Sequence, residues 1–362
     1  MRSLFLLALV FGVLACNQVD TNQYPTNSNV HTFYYNWYGN PNHDDRYYHW
    51  NHEILPHWSD TSWNNAGSFP GGDDIGANFY PQLGNYSSND SSVIAQHMEM
   101  MARAGIGVFV LSWWGKNSYE DRSVKTYLDI ADDYNLQVAF HIEPFYINAE
   151  EFIEQLIYLV DSYGKHPALY TYQGMPFYYV YDSYKLDIVE WQKLLTDDGA
   201  LSIRNTKYDG TFIGLWVEKD EQAFFQSTGF DGYYTYFASD GFVYGSTSSN
   251  WNTLSTFAKE NDLIFIPCVG PGYIDTRIRP WNSQNTKERE KGAYYERMFT
   301  KALESNPDFI GITSFNEWHE GTQIEPAISK SINGYTYEDY GAKTDPWFYI
   351  DKTRELLDRF KK

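Results

Sequence analysis

The chain has 362 residues, 27 Lys and Arg against 47 Asp and Glu, and a formal net charge of −20 at pH 7. That acidity excludes a nucleic-acid partner, because binding a phosphate backbone needs a basic stripe that releases counterions, and 43% apolar with 20% charged residues exclude a disordered or collagenous chain. What stands out is aromatic content: 12 Trp, 32 Tyr and 23 Phe make up 19% of the chain, and flat rings with polar edges suit both sugar faces and a large core.

In chain order, residues 1–16 (MRSLFLLALVFGVLAC) carry one Arg, an apolar run and small residues before Cys16. This is the pattern of a secretory signal and is too short to span a bilayer. Residues 13–16 resemble a bacterial lipobox, which makes Cys16 the lipidation site. The protein is therefore read as exported and lipid-anchored in the bacterial cell envelope, at the outer membrane or cell surface, touching membrane only through that lipid. Residues 17–30 are polar and read as a flexible tether, which assigns 31–362 to one folded domain. With Cys16 set aside, Cys268 is the remaining thiol. No internal disulfide can form, and its apolar surroundings make Cys268 a small buried hydrophobe.

From residue 31 on, short β-rich runs alternate with helical spacing, the signature of βα units around a parallel sheet. Strands are expected at 31–38, 106–113, 137–143, 177–181, 212–217, 231–237, 263–269 and 309–315, with helices at 91–103, 120–134, 149–163, 184–196, 251–260, 286–304 and 346–361. Eight strands imply a single (β/α)8 barrel with a long first βα loop over 39–90 that covers part of one end. A doubly wound sheet is the alternative, but no G-x-G-x-x-G follows the first strand.

In a barrel the chemistry gathers at the C-terminal ends of the strands. Those ends carry carboxylates, aromatics, His and Asn, with few Lys or Arg, which suits a neutral sugar. After the eighth strand, Asn316-Glu317-Trp318-His319-Glu320 sets two carboxylates three residues apart. Glycoside hydrolysis needs an acid for the leaving oxygen and a second carboxylate, and two close acids raise one another's pKa. An acidic helix start would give the same spacing, but the position at a strand end favours catalysis by Glu317 and Glu320. Asp182 and Glu218, ending strands four and five, are the competing pair. Glu143 reads as a substrate-binding acid or a structural cap, and Trp113-Trp114 as a sugar platform or a closure of the barrel top. His43, His49, His52 and His57 crowd the first loop, where hydrogen bonding or packing is favoured over a metal because no H-E-x-x-H appears. Asp73-Asp74 beside two glycines reads as a tight turn, since the EF-hand spacing is absent.

Tyr34-Tyr35-Asn36-Trp37-Tyr38-Gly39-Asn40-Pro41, His49-Trp50-Asn51-His52, Pro56-His57-Trp58, Ser112-Trp113-Trp114-Gly115, His141-Ile142-Glu143-Pro144, the run from Asp231 to Phe237 and the run from Asn316 to Glu325 resemble, in order, glycoside hydrolase family 99. The resemblance implies a (β/α)8 enzyme, without metal or cofactor, that cuts internal α-1,2-mannosidic bonds with retention through a 1,2-anhydro sugar. It implies Glu317 as the base toward the 2-hydroxyl and Glu320 as the acid, demoting Asp182 and Glu218. It also implies substrate binding by Tyr35, Trp37, Trp113, Trp114, His141, Glu143, Tyr234, Tyr236, Asn316 and Trp318. The Trp113-Trp114 pair resembles bacterial members, for which mannose neighbours the cleaved residue. The expected partner is thus mannan or a mannose-rich oligosaccharide, met by a monomer. The alternatives are a barrel glycosidase acting on another, decorated α-glycan and a catalytically inactive glycan-binding lipoprotein.

Overall fold

A computed structural model describes residues 24–60, 63, 67–332, 334–341 and 345–360; the signal segment, Cys16 and residues 17–23 lie outside the described residues. Nine parallel strand segments form the wall of a barrel. They are β1 (Asn27–Tyr34), β2 (Ile106–Trp113), β3 (Gln137–Ile142), β4 (Met175–Val180), β5 (Thr211–Leu215), β6 (Gly232–Tyr234), the two pieces of β7 (Ile264–Ile266 and Cys268–Val269) and β8 (Ile310–Ile312). Pro267 divides β7 because it has no N–H to give the ladder, yet its carbonyl still accepts from Gly311 N–H at 3.0 Å. The first piece of β7 pairs with β6, the second with β8, and β8 pairs with β1, so eight strands close the ring.

The helices are α1 (Ser91–Ala104), α2 (Val124–Asp133), α3 (Ala149–Tyr163), α4 (Ile188–Leu195), α5 (Gln222–Ser227), α6 (Trp251–Glu260), α7 (Ala293–Glu304) and α8 (Phe348–Leu357). Most begin and end where the sequence dictates. Asp90 caps α1 by accepting from Ser92 N–H, and Gly105 ends it in the left-handed region. Asn148 and Asp187 cap α3 and α4 in the same way. The helix α5, six residues long, shows too few turns for a periodicity to be read.

The boundary between tether and barrel differs from the sequence reading. Strand β1 starts at Asn27, so residues 27–30 belong to the barrel and not to the tether. Polar Asn27, Ser28 and Asn29 disguise a strand whose backbone is held at the entry to β2, where Asn27 pairs with Ile106 and its N–H donates to Gly105 O at 3.0 Å. The aromatic excess is also placed differently, since much of it fills the barrel. His31 packs on Phe177, Tyr179 and Phe309; above it Phe33 packs on His141, Tyr179, Tyr234 and Tyr236. Rings are bulky enough to fill the interior in layers. Cys268 is sealed in the wall as a packing residue, and burial pushes its thiol up to about 12.

The first βα connection crosses the C-terminal end of the barrel. It contains a helical turn at Pro41–Asp44, an antiparallel pair between His52–Glu53 and Ser68–Phe69, and a second pair joining Tyr80–Pro81 to Ala327–Ile328. It is thereby stitched to the segment that follows β8.

At the opposite end the start of β1 lies so close to β2 that a Cβ on Gly107 would stand 2.4 Å from the Asn27 carbonyl. Backbone cannot swing aside as a side chain can. Gly107→Ala is expected to destabilise the fold by about 1–3 kcal/mol, read as a lower urea midpoint with kcat unchanged. An unchanged midpoint would mean that β1 does not begin at Asn27.

Candidate active site

The site is built by the loop that follows β8. Its backbone makes turns and no helix, so a helix-start explanation of the two acids is removed. Ser314 Oγ accepts from Glu317 N–H at 2.8 Å and meets Thr322 Oγ1 at 2.8 Å, while Ser314 N–H donates to Thr322 O at 2.9 Å. Gly321, at φ 60°, supplies the left-handed turn that closes the loop. From below, the buried Arg289 donates to Gly321 O and Gln323 O at 2.9 and 2.8 Å, its guanidinium packed among Phe79, Tyr340 and Tyr349. Behind the loop, fully buried Glu325 accepts from Tyr86 O–H at 2.8 Å and Trp318 Nε1–H at 3.0 Å, and lies 3.2 Å from His97 Nε2.

The two carboxylates differ in surroundings. Glu317 is buried: its Oε1 accepts from His319 N–H at 3.1 Å, and its Oε2 is shielded from solvent with no partner. Burial, with the neighbouring Glu320 charge adding to it, pushes the Glu317 carboxyl well above the ordinary range. Glu320 is half-open and lies 3.2 Å from Arg279 Nη1, which also reaches Asp275 at 3.1 Å. Burial raises the Glu320 carboxyl, the Arg279 cation opposes the shift, and Asp275 reinforces it. Over this pair stand Tyr35, just past β1, and Tyr236, just past β6, their hydroxyls in a short mutual hydrogen bond. Burial and the nearby acids raise both phenols, which therefore remain neutral donors. Tyr236 holds this position at φ 46°, an uncommon conformation for a bulky residue. Glu143 completes the floor, accepting from Ser112 O–H at 2.7 Å and lying 3.2 Å from His141 Nδ1.

The structure thus brings together Glu317, Glu320, Tyr35, Tyr236 and Glu143, with His141 supporting Glu143. Trp37 lines the edge, stacked on Tyr35 at 4.4 Å and on His49 at 4.2 Å, and Trp114 is 39% exposed at the rim. Four expected substrate contacts are corrected because no surface of them is accessible. Trp113 points outward from β2 toward the helices, donating to Asp121 at 3.0 Å. Tyr234 lies below the floor, 2.7 Å from His141 Nε2. Asn316 binds the backbone N–H and O of Tyr35, each at 2.8 Å, and Trp318 is held by Glu325. Strand alternation turns Trp113 away from the mouth, Tyr234 sits a layer too deep, and Asn316 mimics a ladder partner. The competing pair fares worse, with Asp182 bound to Lys185 at 2.8 Å and Glu218 exposed. Arg279, missed in the sequence, enters from the loop after β7; the signal available was an Arg four residues beyond an Asp.

The histidines of the first loop separate. His43 lies 3.4 Å from Asp90 and His57 closes a local turn, whereas His49 and His52 meet His319. One ring nitrogen from each of these three lies within 4.8 Å of the others. Neutral imidazoles of this kind can ligate zinc, although bonds of about 2.0–2.1 Å would require the nitrogens to close to about 3.4 Å. Packing accounts for them directly, through the Trp37–His49 stack and the His52–His319 contact at 4.4 Å. Asp73 and Asp74 pair with Lys330 and Arg277 beside a tight turn.

The family model for glycosyl hydrolase family 99 matches residues 25–362. The mouse glycoprotein endo-alpha-1,2-mannosidase is 49% identical over 355 residues, 93% of this chain and 76% of that protein. A human glycoprotein endo-alpha-1,2-mannosidase-like protein is 45% identical, over 92% of this chain and 76% of its own. Among solved structures, the family 99 endo-alpha-mannosidase of Bacteroides thetaiotaomicron superposes with a TM-score of 0.88 at 46% identity, covering 92% of this chain and 98% of that one. A match that runs the length of the barrel, with near-half identity across it, leaves one conclusion: this chain is a glycoside hydrolase and belongs to glycosyl hydrolase family 99.

Proposed function

We propose that the protein is a retaining endo-α-1,2-mannosidase in which Glu317 and Glu320 act through a 1,2-anhydro sugar. The observation that carries this reading is the carboxylate pair after β8, both raised: Glu317 is buried with its Oε2 unpartnered, and Glu320 is half-open beside the Arg279 cation. Two like charges side by side are costly, so the pair shares one proton; burial favours it on Glu317 while Arg279 opposes it on Glu320, and the assigned roles require it to stand on Glu320 once the 2-hydroxyl is bound against Glu317. In an α-mannoside the axial 2-hydroxyl is trans to the leaving group. Glu317 takes the 2-hydroxyl proton, O2 attacks C1, and Glu320 gives its proton to the departing oxygen. In the second half Glu320 takes a proton from water as the water opens the epoxide at C1, and Glu317 returns its proton to O2. Two inversions leave the α-anomer. No enzyme nucleophile is required, so the separation rule for carboxylate-nucleophile glycosidases does not apply.

Substrate would be positioned by Tyr35, Tyr236, Glu143 and Trp37, with the exposed Trp114 as a platform for the neighbouring sugar. An uncharged α-mannan or mannose-rich glycan fits this acidic, aromatic mouth. The names of the animal and bacterial relatives support the same substrate class. We extend the proposal to the cell: residues 1–16 support lipidation at Cys16, and with it an envelope-anchored monomer that degrades mannan outside the cytoplasm.

Incubation with α-1,2-branched mannan, followed by mass spectrometry and by NMR of the first-formed anomer, should show short oligosaccharides released as the α-anomer. Glu317→Gln and Glu320→Gln should each lower kcat/KM by at least about 100-fold. A β-anomer formed first, or full activity in both variants, would overturn the mechanism, and glycan binding without turnover in the parent enzyme would favour the inactive-lipoprotein alternative.

The pH profile should be bell-shaped, its alkaline limb set by loss of the shared proton. Arg279 lowers both carboxyls, so Arg279→Met raises them and should move the alkaline limb of kcat/KM to higher pH. A limb that stays in place or moves down would remove Arg279 from the electrostatics of the pair.

A further inference from the structure

Outside the residues assigned to the mouth, three aromatic side chains from three different loops converge on the surface. Trp58 comes from the first βα connection, Phe242 from the loop after β6 and Trp281 from the loop after β7. Trp58 is 59% exposed and Phe242 37% exposed. The Trp58 ring stands edge-on to Trp281 at 4.3 Å with an interplanar angle of 87°, and lies 6.5 Å from Phe242. An indole left this open forgoes the burial that normally repays its size.

The exposure is built in. His57 Nδ1 accepts from Ser59 N–H at 3.1 Å and Asp60 N–H at 2.9 Å, a turn that holds Trp58 at its tip. The turn is bolted to the β7 loop, with Leu55 N–H donating to Ile278 O at 2.7 Å and Trp281 Nε1–H donating to Leu55 O at 3.0 Å. His57 packs on Trp281 at 4.4 Å. The rings are therefore presented in a set geometry before any ligand arrives, which spares the ordering cost of binding.

The patch is continuous with the site along two routes. From Tyr236 the rings run through Phe237 at 5.4 Å to Phe242 at 5.3 Å and on to Trp58. Along the chain, Trp281 stands two residues beyond Arg279, the partner of Glu320. The patch thus opens from the side of the pair where the acid, and with it the departing sugar, is placed.

We propose that Trp58, Phe242 and Trp281 form a distal sugar-binding platform on the leaving-group side, stacking on the C–H faces of mannosyl residues beyond the first one past the scissile bond. The inference rests on the assignment of Glu320 as the acid. It gives the enzyme a preference for polymer over short oligosaccharide, through affinity for the remote part of the chain and without a change in the chemical step.

The test compares the full-length enzyme with a Trp58→Ala, Phe242→Ala double variant and with Trp58→Tyr on two substrates: α-1,2-branched mannan, and a synthetic oligomannoside ending as a methyl glycoside one residue past the scissile bond. The double variant should raise KM for mannan by about tenfold, the equivalent of one good ring contact, with kcat unchanged and both constants unchanged on the short substrate. Trp58→Tyr should recover most of the mannan KM. Equal effects on the two substrates, or none on either, would overturn the platform while leaving the activity intact. Failure of the parent enzyme to cleave either substrate would instead strike the functional reading on which the platform rests.

Discussion

The mouth of this barrel depends on the fastening of the loop 314–325 to the end of β1. Asn316 does this with one amide, accepting from the N–H of Tyr35 and donating to its carbonyl, each at 2.8 Å. The side chain stands in for a strand and extends the β1–β8 ladder past the point where β8 ends, alongside the Phe315 N–H bond to Phe33 O at 2.8 Å. One contact thereby sets Tyr35 and Glu317 relative to each other. A backbone group left unpaired at this depth costs of the order of 1–3 kcal/mol, so the loop has few other ways to lie.

That fastening needs a firm back wall, and the wall is polar. Glu325 is wholly buried and is tolerated because Tyr86, Trp318 and His97 surround its oxygens, with His97 tied in turn to Tyr34 at 2.7 Å. Arg289 plays the matching part underneath, its charge spread over three rings and two carbonyls. The family's loop motif is therefore only partly chemical. Glu317 and Glu320 are the pair to which the chemistry is assigned in the proposed function, while Asn316, Trp318 and Glu325 hold the loop in shape, which is why rings and acids that resemble site residues in one dimension divide into two groups in three.

Much of the site was legible before folding. Eight β-rich runs with helical spacing between them imply a barrel because each strand must bury its face against a helix and its neighbours, and a carboxylate pair just past the eighth run then falls at the mouth. Trp113 faces the helices, whereas Tyr234 faces inward one layer below the mouth, and the first of these is a matter of parity. Strand alternation sends consecutive residues to opposite sides, but which parity faces inward depends on register with neighbouring strands. Ser112, not Trp113, turned inward to meet Glu143. The early start of β1 was hidden similarly, since polar Asn27, Ser28 and Asn29 form a strand through backbone pairing.

The sequence by itself determined the fold class, the acidic and aromatic character of the mouth and the pairing of Glu317 with Glu320, which follow from periodicity, composition and local spacing, and its motifs carried the family resemblance. Tertiary structure alone decided the rest. It brought Arg279 and Asp275 from the β7 loop to Glu320, His319 to the two loop histidines, and Tyr35 to Tyr236. The physical reason is that desolvation and charge proximity act through space: the raised carboxyls of this pair are a property of how closely distant loops are packed, and no spacing along the chain records that distance.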